Sequence, residues 1–487
     1  MKSFAFLCLL LTFQTLPAQS DISWSQIIPV ASGQFDNMHP RVVLDGAGNP
    51  LIIWGNGNTK QVFFTRWTGN GFAAPVNLNP DVIPIFAASW SGPDIASHGD
   101  TVYVVFKETP EHTNGIYLVR SFNGGQSFSD PERVDAIGDS ISRFPSVSTD
   151  ALGNPLVAFM KFDPGWGNAR YVLTRSNDYG STFGTDILGS RFSGGDVCDC
   201  CPASVTSSGN TVALLYRDNL NNLRNSWTGI SLDAGNSFAG GIEIDKTDWT
   251  INACPSSGPD GVIYQDTLYS VFMSAASGKA LCYRSHSSIS GLQIESMEAL
   301  TGNFTGLGQQ NFPRIASAGK AVAVIWVQTA NGNTQLAIQF TNNISNGFPG
   351  GYDVLAPNYV SNADVAISSN GKVYVVWEDM NTGTVLFKYG EYIVSSAKEP
   401  FRDPETFKVY PNPVTNSNLY LEFRNPTDEM LHYGIYNAQG QEVIAGKEQS
   451  KAGILQINVS EILQGAYFIR VKNNDQAAIK SFIIQKE

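Results

Sequence analysis

Charged residues occupy the same position in five copies of a repeated segment. They are Arg41, Asp94, Asp260, Arg314 and Asp364, and each directly follows the residue that opens its copy. Because equivalent positions of a circular repeat meet at its axis, we expect these side chains to lie close together. Guanidinium and carboxylate groups bind polar ligands such as glycans through charge-assisted hydrogen bonds. The other interpretation is that these charges only neutralise one another in a wet central channel.

Four cysteines form a second candidate site. Cys198, Cys200 and Cys201 lie where the fourth copy opens, and Cys254 lies just before the fifth copy. Neighbouring openings are close in a circular repeat, so we expect a disulfide between Cys254 and one of the other three. A vicinal Cys200–Cys201 bridge is the first alternative and a thiolate metal site the second. The spacing matches no zinc template, so we predict no metal. We expect Cys282 to be an inert buried thiol.

The repeat that positions these residues is roughly 54 residues long and occurs seven times. Each copy has an opening residue, a short apolar strand, a tight turn and a β-branched strand that ends in an aromatic residue. The opening residues are Pro40, Pro93, Pro145, Pro202, Pro259, Pro313 and Ala363. The aromatic residues, 13 or 14 positions later, are Trp54, Phe106, Phe159, Tyr216, Phe272, Trp326 and Trp377.

Two more strands follow in each copy, which gives the four strands typical of a β-propeller blade. Proline is tolerated at the first residue of a strand, where the loss of a backbone donor costs least. We therefore predict an all-β fold with a β-propeller over residues 20–393. Seven blades are favoured, and six are the alternative. The segment from Ile22 to Val30 precedes the first copy, and we expect it to complete the last blade.

Composition narrows the class of protein. Only 15% of residues are charged and 46 are glycine, which fits short strands and tight turns. The net charge of −12 has no basic block, so we expect no nucleic-acid partner, and no cofactor is indicated. Residues 1–19, with Lys2 and an apolar run from Phe4 to Phe13, have the pattern of a signal peptide. No other apolar stretch reaches the length of a membrane helix, so we expect no transmembrane segment.

Three turns between third and fourth strands share a further motif: a serine, then Asp or Asn two positions on, then glycine. The three copies are Ser121, Asn123 and Gly125, then Ser176, Asp178 and Gly180, then Ser231, Asp233 and Gly235. The motif resembles the Asp box of the sialidase-like propeller superfamily. In that family the boxes lie on the rim away from the substrate site, so the resemblance implies a structural role. The carboxylate or amide would cap turn amides, and glycine would supply a positive φ.

The resemblance also makes exo-α-sialidase-type hydrolysis the alternative function. Sialidases use an arginine triad, a Tyr–Glu nucleophile pair and an acidic general acid. Arg217, followed by Asp218, lies where the resemblance places a second family arginine. The first family arginine comes before a proline, in an Arg-Ile-Pro motif, whereas Arg41 comes after Pro40. The family glutamate is missing beside Pro202, and no third arginine or nucleophilic tyrosine can be placed. We therefore favour binding of a glycan, another polar ligand or a protein, include Arg217 and Asp218 as candidate ligand residues, and assign no catalytic residue.

The C-terminal segment forms a separate module after a polar linker at residues 394–406. Alternating strands over residues 407–487 predict a small Ig-like β-sandwich. Its opening at 410–413 (YPNP), the turn at 436–440, the strand at 465–471 and the basic, apolar end at 480–486 resemble the type A sorting domain of Bacteroidetes. The resemblance implies export by the type IX secretion machinery to the cell surface or the medium, through the periplasm. An ordinary carbohydrate-binding sandwich is the alternative.

Overall fold

The computed structural model of the chain describes residues 22–31, 35–136, 138–392, 407–423, 430–437, 442–472 and 477–486. The chain divides into two compact units, Met1–Val394 and Ser395–Glu487. The expected signal peptide, the linker and part of the sorting-domain turn, at 438–440, lie outside the described residues. Regular structure in the described residues is all β, apart from one 3₁₀ turn at Ile344–Asn346.

The described residues of the first unit form seven antiparallel sheets, each of which is one blade. Blades one, two and three are β3–β6, β7–β10 and β11–β14. The strands up to the end of blade three are β1 (Ser23–Trp24), β2 (Ile28–Ala31), β3 (Asn37–Leu44), β4 (Pro50–Asn56), β5 (Gln61–Arg66), β6 (Val76–Asn77), β7 (Asp94–His98), β8 (Thr101–Lys107), β9 (Ile116–Ser121), β10 (Glu132–Arg133), β11 (Ile141–Thr149), β12 (Pro155–Asp163), β13 (Gly167–Arg175) and β14 (Ile187–Leu188).

Blades four to six are β15–β19, β20–β23 and β24–β27, and β28–β30 belong to blade seven. Their bounds are β15 (Asp196–Val197), β16 (Ser204–Ser208), β17 (Thr211–Asn219), β18 (Ser226–Ser231), β19 (Gly240–Glu243), β20 (Asp260–Tyr264), β21 (Thr267–Ser274), β22 (Leu281–Ser288), β23 (Gln293–Ala299), β24 (Leu307–Ala318), β25 (Ala321–Ala330), β26 (Asn333–Thr341), β27 (Asp353–Pro357), β28 (Val360–Ser368), β29 (Lys372–Asp379) and β30 (Thr384–Glu391).

The blades form a closed ring. The first strands of neighbouring blades are in contact all the way round, in the order β3, β7, β11, β16, β20, β24, β28 and again β3. Both β1 and β2 pair with β30, so residues from the start of the described chain complete blade seven. The predicted seven-bladed propeller is therefore confirmed, and the N-terminal segment completes the last blade as expected.

The hydrophobic core of the propeller lies between the blades. Each of the seven pairs of neighbouring blades encloses its own cluster of buried apolar side chains. The aromatic residues that end the second strands supply the largest of these side chains, and Trp54, Trp326 and Trp377 are at most 1% exposed. Burying one large apolar side chain contributes about 1.5–3 kcal/mol, so the repeated aromatic position stabilises six of the seven blade contacts. The cluster between blades four and five consists of aliphatic side chains instead.

The second unit is a two-sheet sandwich, as the sequence predicts. One sheet has the order β31-β32-β35 and the other β34-β33-β36-β37, and the two enclose one apolar cluster. The strands are β31 (Phe407–Tyr410), β32 (Asn418–Phe423), β33 (Met430–Asn437), β34 (Glu442–Gln449), β35 (Ile454–Asn458), β36 (Gly465–Lys472) and β37 (Ala477–Ile484). Two antiparallel sheets packed face to face are the architecture of an Ig-like sandwich.

Candidate functional site

A β-bulge precedes the opening residue in four blades. The pairing register of β3 shifts between Met38 and Arg41, and equivalent shifts occur in β11, β24 and β28. The residue before the opening residue has a positive φ in each case: His39 (54°), Phe144 (53°), Phe312 (51°) and Asn362 (24°). Bulges bend a strand and re-aim its side chains. Here the bulged strands bring Arg41, Ser146 and Arg314 to the wall of the central cavity.

Three of the predicted axial residues are aspartates that join one blade to the next. Each carboxylate accepts a hydrogen bond from the backbone amide two residues after the next opening residue. The bonds are Val147 N to Asp94 Oδ2 at 2.9 Å, Ile315 N to Asp260 Oδ2 at 3.0 Å and Val42 N to Asp364 Oδ2 at 2.9 Å. Hydrogen bonds to a charged acceptor are the stronger kind, so these aspartates hold the innermost strands together.

Arg314 is neutralised by two of these carboxylates. Its Nε lies 3.1 Å from Asp364 Oδ1 and 3.4 Å from Asp260 Oδ2. Burial lowers the pKa of Arg314, but the neighbouring carboxylates outweigh burial and raise the pKa above its ordinary value. Burial raises the pKa of Asp260, and Arg314 partly reverses that rise. The guanidinium of Arg314 therefore mainly balances charge within the ring.

Arg41 has different surroundings. Its Nη1 donates to the backbone oxygen of Pro40 at 2.8 Å. Within the described part of the chain, no carboxylate oxygen lies within the 4.0 Å of an ion pair with Arg41. Burial and the nearby Arg314 lower the pKa of Arg41 to about 10, against the more distant charges of Asp364, Asp94 and Asp260, so the group is still protonated at neutral pH. Arg41 is a charged group on the cavity wall that no direct carboxylate contact neutralises.

His39 and Glu378 also belong to this region, and the sequence did not indicate them. His39 Nδ1 lies 3.3 Å from the oxygen of Ser89 and 3.2 Å from Nδ2 of Asn362. Burial and the charge of Arg41 lower the pKa of His39 well below its ordinary value, which keeps the imidazole neutral. Glu378 accepts a hydrogen bond from Ser89 Oγ at 2.8 Å. In the sequence, His39 could have been recognised from its position directly before Pro40, the residue that opens the first blade.

The axial cavity is small. Its volume is about 50 Å³, and its wall includes His39, Arg41, Trp90, Asp94, Ser146, Phe312, Arg314 and Asn362. Sites that enclose whole small molecules have volumes of about 300–1,000 Å³, whereas a cavity of about 10–15 Å³ is enough for one water. This cavity therefore has room for one polar group, such as a carboxylate or a hydroxyl, but not for a sugar ring.

Arg217 and Asp218 are not brought to this cavity. Arg217 is fully buried behind its wall, and its Nε, Nη1 and Nη2 donate to the backbone oxygens of Ser257, Arg224 and Met273 at 3.1, 2.6 and 2.7 Å. The bonds to Ser257 and Met273 connect blade four to the segment that leads into blade five and to the second strand of blade five, whereas the bond to Arg224 lies within blade four. Asp218 is also buried, and burial raises its pKa. Arg217 is therefore anchored by backbone oxygens, which accept from three of its five N–H groups.

The three Asp-box motifs have one geometry. In the middle copy, Asp178 accepts hydrogen bonds from Ser176 Oγ and from Thr182 N and Oγ1 at 2.7, 2.9 and 2.7 Å. These bonds lower the pKa of Asp178 to about 2. Asp233 makes the equivalent three bonds, and Asn123 accepts the first two but donates from Nδ2 to Ser127 Oγ in the third. The glycines Gly125, Gly180 and Gly235 have φ of 76°, 82° and 81°. The groups in each motif are satisfied within the turn.

The cysteines are drawn together between blades four and five. Cys200 and Cys254 form a disulfide, and Cys198 and Cys201 are buried free thiols. The Sγ atom of Cys198 lies 3.0 Å from that of Cys201 and 3.5 Å from that of Cys200. Because Cys200 is bridged, the three neighbouring sulfur atoms do not present three free thiolates to a metal. Cys282 is fully buried elsewhere in blade five, and burial raises the pKa of its thiol.

The sandwich at the end of the chain has a recognisable class. Residues 408–485 match the family of secretion system C-terminal sorting domains. The chain is therefore a seven-bladed β-propeller that carries a type IX sorting domain, and that domain indicates export to the cell surface or secretion. Among the described residues, no helix has the length and apolar character that crossing a membrane requires.

Solved structures with a similar backbone fold are distant in sequence. A Dyadobacter fermentans protein of unknown function is 10% identical, with a TM-score of 0.46, and the match covers 77% of this chain and 100% of that one. A PL25 ulvan lyase is 9% identical (TM-score 0.48; 74% and 95% covered), and the Trypanosoma rangeli sialidase is 9% identical (TM-score 0.43; 92% and 85% covered). No curated protein matches the chain. The fold assignment rests on the strand pairing described above.

Proposed function

We propose that this chain is an exported propeller that binds a glycan or another polar ligand at its axial cavity. Residues 1–19 would act as the signal peptide, 20–393 as the binding domain, 394–406 as the linker and 407–487 as the sorting domain. The observation that carries the binding proposal is Arg41, whose guanidinium lies on the cavity wall without a carboxylate in direct contact. A protonated guanidinium of this kind favours a ligand that brings a carboxylate or another electron-rich oxygen.

The size of the cavity defines how such a ligand would bind. A volume of about 50 Å³ accepts a single functional group, so the ligand would enter by an end group while its remainder stays outside. A glycan that ends in an acidic sugar fits this description, because its carboxylate could reach Arg41. Trp90 and Phe312, also on the wall, offer apolar surface to the rest of such an end group.

The same geometry supports binding over hydrolysis. Glycoside hydrolysis by the usual route needs two carboxyl groups, or their equivalent, that are free to act on the glycosidic bond. Asp94, Asp260 and Asp364 already accept hydrogen bonds from the neighbouring blade. Arg217, the best candidate for a sialidase-type arginine, donates to three backbone oxygens. Ligand binding at the cavity wall, by contrast, leaves the hydrogen bonds of these aspartates and of Arg217 intact.

Calorimetric titration of the exported chain with an oligosaccharide ending in a uronic acid tests the proposal. We expect saturable binding, and Arg41→Gln should weaken it by about tenfold or more, since a charge-assisted hydrogen bond contributes about 1.5–3 kcal/mol. Arg284→Gln is the matched control, because Arg284 is a partly buried arginine of blade five that does not line the axial cavity. Equal affinity of wild type and Arg41→Gln would contradict the proposal.

A further inference from the structure

The cysteine cluster places a free thiol pair beside a disulfide. Cys198 Sγ lies 3.5 Å from Cys200 Sγ, which is bonded to Cys254, and 3.0 Å from Cys201 Sγ. We propose that this cluster is a thiol–disulfide exchange centre in which one disulfide moves between the pair Cys200–Cys254 and the pair Cys198–Cys201. The proposal concerns these four side chains and does not depend on the ligand of the axial cavity.

Cys198 is the attacking group in this arrangement. Arg224 Nη1 donates to Cys198 Sγ at 2.9 Å, and the guanidinium of Arg224 is itself buried. The hydrogen bond between Cys198 and Cys201 lowers the pKa of Cys198 to about 6 against the effect of burial, and the charge of Arg224 lowers it further. Burial raises the pKa of Cys201. These opposite shifts favour a thiolate at Cys198 beside a protonated Cys201, and thiolates are the species that exchange with disulfides.

The exchange is balanced without an external reagent. The Cys198 thiolate attacks Cys200 Sγ, the Cys198–Cys200 bond forms, and the Cys200–Cys254 bond breaks. The electron pair leaves with Cys254 Sγ, which takes a proton from water. Cys201 then loses its proton to water and attacks Cys198 Sγ, so the Cys198–Cys201 bond forms and Cys200 leaves as a thiolate that is protonated in turn. One disulfide and two thiols are present before and after, so no oxidant or reductant is consumed.

The two pairings differ in which thiols face the solvent. Cys198 and Cys201 are buried, whereas Cys254 is exposed on the segment before blade five. Moving the disulfide to Cys198–Cys201 therefore transfers a reactive thiol from the interior to the surface. An exposed thiol at Cys254 can be alkylated, or can form a mixed disulfide with an external disulfide-containing molecule. The exchange would make Cys254 a modification site that the Cys200–Cys254 pairing conceals.

Peptide mapping of the unreduced full chain tests this proposal. The native protein is treated with iodoacetamide, denatured, blocked with N-ethylmaleimide and cleaved with trypsin, which puts Cys198, Cys200 and Cys201 on the peptide 192–217 and Cys254 on the peptide 247–279. We expect Cys254 to gain the first label while peptide 192–217 acquires an internal Cys198–Cys201 bridge. The wild-type map requires no variant, so it does not depend on how a substitution folds.

Two variants identify the attacking sulfur. Cys198→Ser should lower native labelling of Cys254 by about tenfold or more, because no thiolate then neighbours Cys200. Cys282→Ala is the control and should label as the wild type does, since Cys282 lies outside the cluster. Wild-type protein in which Cys254 is never labelled and only the Cys200–Cys254 bridge is found would overturn the proposal. Native mass spectrometry that finds all four thiols holding a metal ion, with no disulfide, would overturn it as well.

Discussion

Arg41 and Arg314 occupy equivalent positions of two blades but have different partners. Arg314 contacts Asp260 and Asp364, while Arg41 donates to one backbone oxygen. The sequence predicted that both would reach the axis, and the structure places both on the cavity wall. The sequence could not distinguish the roles of the two arginines, because a repeat defines where a residue lies but not which neighbours it contacts. We assign Arg314 to the stability of the ring and Arg41 to the ligand.

Removing the Arg314 charge should destabilise the propeller. Arg314→Gln leaves Asp260 and Asp364 without their common cation, and an uncompensated buried charge is costly. We expect the free energy of unfolding in urea to fall by about 2 kcal/mol. Arg170→Gln is the control, because the Arg170–Asp163 pair lies on the surface and such pairs contribute about 0–1 kcal/mol. Equal effects of the two substitutions would mean that the Arg314 pairs contribute no more than a surface pair.

His39 should make stability depend on pH. Its pKa in the folded chain is lowered well below 6.5, the value for the unfolded chain. Above about pH 6.5 both states hold a neutral imidazole, whereas below it only the unfolded state takes up the proton, so folding becomes less favourable as the pH falls. As the pH falls, the free energy of unfolding should decrease by up to about 1.4 kcal/mol per pH unit.

His39→Asn should remove that dependence, and asparagine tolerates the left-handed backbone at this position. Urea unfolding of both proteins between about pH 7 and about pH 5 provides the measurement. The free energy of the wild type should decrease relative to that of His39→Asn across this range. Parallel pH profiles would show that His39 protonates equally well in the folded chain.

Among the strands, the sequence repeat allowed the blades to be predicted but did not indicate the β-bulges. The opening residues and the buried aromatics recur at nearly constant spacing, which is a signal in the sequence itself. The bulges depend on a left-handed residue before the opening residue, and His39, Phe144, Phe312 and Asn362 share no chemical property that would indicate it. Tertiary pairing with the second strand imposes that conformation, so a single sequence could not show it.

The Asp-box glycines should differ from ordinary turn glycines in their sensitivity to substitution. A Cβ at Gly125 would lie 2.1 Å from Cζ of Phe64, whose ring packs edge-on against Phe128. Gly278 has a similar positive φ, 83° against 76°, but open space around it. We expect Gly278→Ala to lower the free energy of unfolding by about 1 kcal/mol, because only the backbone is strained. Gly125→Ala should lower it by about 3 kcal/mol, because the new methyl group also clashes with Phe64, and thermal or urea unfolding measures both values. A similar cost at both positions would contradict the packing role of the motif.

For the whole molecule, closure of the ring depends on residues from the two ends of the propeller sequence. The strands β1 and β2 pair with β30, and Val30 is buried in the cluster between blades seven and one. The sequence predicted this closure because the last copy of the repeat ends after its third strand. It also predicted the sorting domain, which has its own motifs. It did not predict the narrowness of the axial cavity, which depends on how closely the seven inner strands pack.

Disrupting the closing strand should weaken the whole propeller. Val30→Asp places a charge in the cluster between blades seven and one, where burial of an unpaired carboxylate is unfavourable. Ile27→Asp is the control, since Ile27 is 43% exposed in the same segment. We expect Val30→Asp to lower the melting temperature by several degrees or more and Ile27→Asp to leave it nearly unchanged. Equal melting temperatures would show that the ring is stable without this contact.

Binding of a polar ligand at the axial cavity through Arg41 can be measured directly. The most direct measurement is a glycan array probed with the wild-type exported chain and with Arg41→Gln at equal concentration. We predict that the wild type binds a group of glycans with acidic end groups and that Arg41→Gln loses this group. Identical profiles for the two proteins, or release of free sugar from the bound glycans by the wild type, would contradict the account.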